Sequence, residues 1–195
     1  MSVNPNALTI IVVFFVIASG VIMGCSSTQV HENKGITVNN ASELGNISFE
    51  FAVQSIADTT FDQPGSNSTD TVNHILLIRG SRLDVNGDAS DVSGWFFFVR
   101  HTNQTYGVNV DRNGNSIAKW GGEAPDHEIL IDQVMHPREL FTRNMDLIVN
   151  KTSPAEETRD LTLSDGNYTL TITSGNSVRV LTFDATTGAL TNSHG

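Results

Sequence analysis

The residues best equipped for chemistry lie in Asp84-Val85-Asn86-Gly87-Asp88, with Asp91 close behind. Side-chain oxygens at alternate positions are what a calcium loop presents, because Ca2+ takes several hard oxygen ligands. Asp84, Asn86, Asp88 and Asp91 are therefore candidate metal ligands, and Ca2+ is the ion they would take. The helix–loop–helix version of such a site requires Gly at its sixth position and Glu at its last. Ala89 and Trp95 stand there. The other reading is an Asp/Asn/Gly turn between two strands. His127-Glu128 begins like the zinc-protease pattern H-E-x-x-H, but Ile131 occupies the place of the second histidine. His127, Asp132 and His136 then have no spacing that unites them.

Nothing else in the chain combines a nucleophile, a base and a stabilising group. There is no Gly-rich phosphate loop and no serine in a nucleophile-elbow motif. Glu156-Glu157 belongs to a Ser153-Pro154-Ala155-Glu156 capping turn. The sequence thus points away from an enzyme and from a bound cofactor. The formal net charge of −10, with Lys and Arg scattered, also argues against nucleic-acid binding, since phosphate backbones are neutralised by basic clusters.

The elements that would position these residues are repeated. Shifting Trp95–Gly114 by 73 positions sets Trp95 on Tyr168, Phe97 on Leu170 and Val99 on Ile172. The same shift sets Val108 on Leu181, Val110 on Phe183 and Asp111 on Asp184. Each copy alternates apolar and polar residues as two half-buried strands do, then turns at an Asp and a Gly. Asp165-Gly166 and Ser174-Gly175-Asn176 mark hairpin turns in the second copy. Val72–Arg79 reads as a buried strand ending at Gly80, and Ile117–Trp120, Glu128–Asp132 and Leu161–Leu163 as short strands. A helix is expected within Ala41–Thr60. A second starts at Pro137 and runs to about Val149, with Leu140, Phe141, Met145 and Ile148 inward. The fold class is α+β, each half a helix laid on an antiparallel meander. A lone meander cannot bury its own apolar face. Trp95 and Trp120 are candidates for an exposed aromatic patch, with core packing the expectation for Trp95.

The N-terminus is of another kind. Ala7–Met23 is almost wholly apolar, and Gly24-Cys25 follows it. That ending resembles a lipobox, which implies cleavage before Cys25 and a lipid on its thiol. Met23 and the absence of Lys or Arg before Ala7 depart from the pattern. The alternative is a retained signal anchor. Either way the membrane is a partner and the remaining chain is extracytoplasmic, anchored at the cell surface. As the only cysteine, Cys25 allows no intrachain disulfide. N-x-[ST] sequons at Asn40, Asn46, Asn67, Asn103 and Asn150 are candidate glycosylation sites, and Asn167 lies in a strand–turn region. Lipobox, sequons and acidity together suggest an archaeal surface protein.

The order helix, HILLIRGSRLD, a D-x-N-G turn, Gly94-Trp95-Phe96-Phe97-Phe98 and a strand ending in Val110-Asp111 resembles PepSY-like domains of exported proteins. So does Phe183-Asp184-Ala185-Thr186-Thr187-Gly188 in the second copy. The resemblance divides the chain into a signal or anchor segment 1–25, a polar tether 26–40, PepSY-like halves 41–122 and 123–191, and a tail 192–195. It implies a non-catalytic module that binds a protein partner at the cell surface or modulates a peptidase. The alternative is a structural component of an envelope layer or filament.

Overall fold

The structure is a computed structural model and describes residues 45–61, 72–149 and 157–195. It is α+β, mostly antiparallel sheet with few helices. Strand β1 (Asn46–Ile47) leads into helix α1 (Phe49–Ala57). Then come β2 (Asn73–Gly80), β3 (Ala89–Ser90), β4 (Trp95–His101), β5 (Gln104–Asp111) and β6 (Gly114–Lys119). A 3-10 turn at Ile131–Gln133 precedes helices α2 (Pro137–Arg143) and α3 (Met145–Ile148). Strands β7 (Glu157–Ser164), β8 (Asn167–Ser174), β9 (Ser177–Asp184) and β10 (Leu190–His194) complete the chain. β1 and β3 form a small ribbon. The other eight strands form one sheet in the order β10-β9-β8-β7-β2-β4-β5-β6.

Two four-stranded runs therefore meet where β2 pairs with β7. The register of that seam is symmetric. Gly80 pairs with Trp95, and Leu163 with Tyr168; Ile78 pairs with Phe97, and Leu161 with Leu170. Under the sequence repeat, Gly80 thus corresponds to Leu163 and Ile78 to Leu161. Across the seam Ile78 faces Leu163, Gly80 faces Leu161, and Arg79 faces Thr162. Exchanging the two strands returns the same pairs, so a local two-fold passes through Arg79–Thr162.

The alternation in the sequence places one side of each strand inward. Trp95, Phe97 and Val99, Tyr106, Val108 and Val110, Tyr168, Leu170 and Ile172, and Leu181 and Phe183 are all buried on one face. Helix α1 covers that face with Phe49, Ala52 and Ile56, and α2 and α3 with Leu140, Phe141 and Ile148. The corresponding aromatics do the same job in both runs. Trp95 Nε1 donates to the Ile47 carbonyl at 2.8 Å, and Tyr168 OH donates to the Met135 carbonyl at 2.7 Å. Each acceptor lies just ahead of a helix, so each aromatic pins the entry of the helix that covers it. The caps are side chains: Ser48 Oγ accepts from Phe51 N, and His136 Nδ1 accepts from Arg138 N. The β7–β8 hairpin turns on Asp165 (φ +48°) and Gly166 (φ +74°), the paired left-handed conformation of a tight two-residue turn.

Three expectations differ from what is found. The helix read from Pro137 to Val149 is broken at Asn144 (φ −111°, ψ 20°). The Asn144 side-chain amide donates to the carbonyls of Leu140 and Gly188, and this outside partner holds it off helical geometry. Residues 128–132 form no strand. Ile129 N donates to the Ile75 carbonyl at 2.7 Å, and the chain then closes into the 3-10 turn. The C-terminal residues through His194, read as a tail, pair with β9 as an edge strand. The capping turn read at 153–156 lies outside the described residues.

Candidate binding surface

With all three helices on one face, the other face of the sheet has no helix over it among the described residues. Its composition changes along the sheet. On the β7–β9 side it carries Thr162, Thr169 and Thr182 in one cross-strand row, with Thr171 beside Asp160. On the β4–β6 side it carries aromatics. Phe96 and Phe98 point outward from β4, alternating with the buried Trp95, Phe97 and Val99. Their rings meet edge to face with centroids 5.1 Å apart, and Phe98 meets Trp120 at 4.7 Å. This is the offset or tilted contact that ring quadrupoles favour.

A shallow hollow of about 230 Å³ opens between Phe96 and Trp120. Its floor is Gly107 and Ala118, and Asn109 and Ser116 supply polar atoms. Gly107 leaves room for the ring: a Cβ there would sit 3.2 Å from two Phe96 ring carbons, a tight contact. Trp120 is 40% exposed yet fixed at several points. Its N–H donates to Thr105 O (2.8 Å), its Nε1 to Glu123 O (2.9 Å), and its carbonyl accepts from Gln104 Nε2 (3.1 Å). A rigid, half-exposed aromatic beside a small polar rim is the composition of a recognition surface. The two tryptophans thus do not share a patch. Trp95 is core, and Trp120 joins two phenylalanines that the run WFFF conceals.

A second hollow, about 280 Å³, lies on the helical side between Phe49, Glu50, Val53, Gln54, Ile131, Val134 and His136. His136 Nδ1 accepts from Arg138 N, which turns Nε2 toward Glu50. Nε2 lies 3.0 Å from Glu50 Oε1, close but not aligned as a hydrogen bond. Burial works to raise the Glu50 carboxyl. Its own backbone N–H, His136, the Ser48 hydroxyl and Arg138 outweigh that and hold it below the usual range. Burial, with Asp84 and Glu50 nearby, holds Asp88 above the usual range despite Arg138.

The candidate ligands of the 84–91 segment each have protein partners. Asp84 Oδ1 accepts from the N–H groups of Asn86 and Asp88, and its Oδ2 from the Asn46 amide. Asp88 pairs with Arg138 at 3.3 Å and Asp91 with Arg112 at 3.1 Å. His127 pairs with Asp165, while Asp132 is exposed. Among the described residues no group of three His, Cys, Asp or Glu side chains is arranged to hold a metal ion. Of the sequon asparagines, Asn103 is exposed in the β4–β5 turn, and Asn46 is partly buried in β1. Asn167 is exposed at the start of β8. Cys25, Asn40, Asn67 and Asn150 lie outside the described residues, as does the apolar stretch 7–23. Among the described residues no helix is long and apolar enough to cross a membrane.

No protein-family model, curated protein or solved structure matches this chain.

Proposed function

We propose that the chain is a non-catalytic, extracytoplasmic binding module held at the cell surface, with Cys25 as its point of lipid attachment. Its segments 41–122 and 123–191 are two PepSY-like halves. The open sheet face takes a protein partner, and an extracellular peptidase is the class that the resemblance implies. The observation that carries this reading is the rigid aromatic shelf of Phe96, Phe98 and Trp120 on a face that no described helix covers. Strand order and the two helix entries pinned by Trp95 and Tyr168 support the two-half reading.

A photo-reactive residue placed at Asn109, on the floor side of the shelf, tests the surface on intact cells. A single heterologous adduct is expected, and Phe96→Ala with Trp120→Ala abolishes it while the fold is retained. Labelling that this double variant leaves unchanged would remove the shelf from the function. Intact-mass measurement of the native protein tests the anchor: a full-length, unmodified mass sinks the lipid attachment.

A further inference from the structure

The two edges of the sheet are not alike. β10 has a register break between Leu190 and Asn192, the kind of irregularity that blunts an edge. β6 has none. It is a straight run of six exposed residues, GNSIAK, with no proline and one charge at its end. The Arg112-Asn113 turn makes Asp111 and Gly114 the first hydrogen-bonded pair of the β5–β6 hairpin. Alternate pairs follow, and Trp120 N donating to Thr105 O at 2.8 Å continues the series. Gly114, Ser116, Ala118 and Trp120 therefore spend their backbone groups on β5. Asn115, Ile117 and Lys119 point theirs away from the sheet. Such an array of alternating donors and acceptors is matched by an extended polypeptide.

The side chains say which polypeptide. If β6 pairs antiparallel with itself about Ile117, the opposed residues are Ile117 with Ile117, Asn115 with Lys119, Ser116 with Ala118, and Gly114 with Trp120. Small residues face small ones. Trp120, which leans back on Phe98, meets a residue without a side chain. Ile117, 39% exposed and lying beside the buried Val108, meets its own copy on the core side of the sheet. The charges also agree. In a chain of net charge −10, β6 contains no carboxylate, and its single Lys119 falls opposite a neutral asparagine rather than another lysine. Of the registers that keep outward-pointing residues opposed, the two neighbouring ones would set Ile117 against Asn115 or Lys119.

We propose that two copies of this chain join through β6 in that register, making one continuous sheet across a two-fold axis. Such an isologous joint is closed and consumes the open edge. It adjoins the aromatic shelf, since Ser116, Ala118 and Trp120 line the hollow as well as the joint.

Register-specific crosslinking tests it, using the full chain in detergent with Cys25→Ser as background. Hydrogen-bonded antiparallel partners have Cα atoms about 5.5 Å apart, within the span a disulfide bridges. Ile117→Cys alone is expected to give oxidised dimers. Asn115→Cys alone and Lys119→Cys alone give none, since like positions are offset by about 14 Å along the strand at roughly 3.4 Å per residue. Mixing those two variants restores the crosslink. Ile117→Pro removes the outward N–H and the Ile117 side chain from the joint and leaves the β5 pairing intact. It should raise the dimer dissociation constant at least about tenfold by analytical ultracentrifugation, with the circular dichroism unchanged. Crosslinking that ignores position, a monomer with no crosslink from Ile117→Cys, or a dimer untouched by Ile117→Pro would each overturn the proposal. If Ile117→Pro fails to fold, the cysteine pattern decides alone.

Discussion

Trp95 and Tyr168 show how one role is written in two residue types. Both bury a ring against a helix and hand one polar hydrogen to a carbonyl at the helix entry. Tyr168→Phe keeps the ring and leaves the Met135 carbonyl unpaired, so a loss of about 1–2 kcal/mol is expected in urea titration. Trp95→Ala removes the ring as well and should cost about 3–5 kcal/mol. Tyr168 also sets a pH dependence. Burial pushes its phenol above the ordinary value of 10.0. The native state therefore keeps a proton that the unfolded chain gives up. The associated stability is intact below about pH 10 and declines as pH rises beyond it. Denaturant titrations at pH 8 and pH 10.5 should show this decline, and Tyr168→Phe should flatten it. A third residue-scale case is the pair of Arg159 with Glu157 on β7, 10% and 8% exposed. Glu157→Gln strands a buried guanidinium and should cost about 3–5 kcal/mol, whereas changing both partners to apolar residues of similar volume should recover most of it.

At the scale of elements, what could be read from sequence and what could not divide along a physical line. Strands β5, β8 and β9 were legible because their alternation is local and the core needs every second residue, and β4 because the repeat aligns it with β8. Asp111 and Asp184 were legible as turn formers. Asp111 accepts from Asn113 N, and Asp184 from Thr186 N, Thr187 N and the Thr187 hydroxyl. The break at Asn144 was not legible, because its second partner, Gly188, is 44 positions away. Strand β10 was hidden by its polar composition, since an exposed edge needs no apolar stripe. The shelf was hidden differently. WFFF is a uniform run, and only knowing that no described helix covers one face assigns Phe96 and Phe98 to the outside. Gly107 then becomes informative. Gly107→Ala should press a methyl group against the Phe96 ring and narrow the hollow. The expected outcome is a stability loss of about 1–2 kcal/mol, together with loss of the Asn109 crosslink.

For the whole molecule, one continuous sheet with one buried face predicts cooperative unfolding. Trp95 and Trp120, which carry the fluorescence, both lie in the β2–β6 run, whereas far-ultraviolet circular dichroism reports both runs. The two signals should trace coincident urea transitions. Separated midpoints would mean that the β2–β7 seam does not couple the runs. The metal candidates belong at this scale too, because Arg112 and Arg138 tie Asp91 and Asp88 to distant parts of the chain. Excess Ca2+ or chelator should leave the melting temperature unchanged. A rise with Ca2+ would mean that the 84–91 loop trades these arginines for an ion.

The symmetric seam at Arg79–Thr162 carries a consequence for ancestry. A register that survives exchange of its strands is one that a single half could have made with a copy of itself. Duplication of one gene segment would then have fused a joint that already existed between separate chains. The peptide linking the runs would have recorded that union rather than created it. Two half-length fragments, expressed together, should still find the same seam.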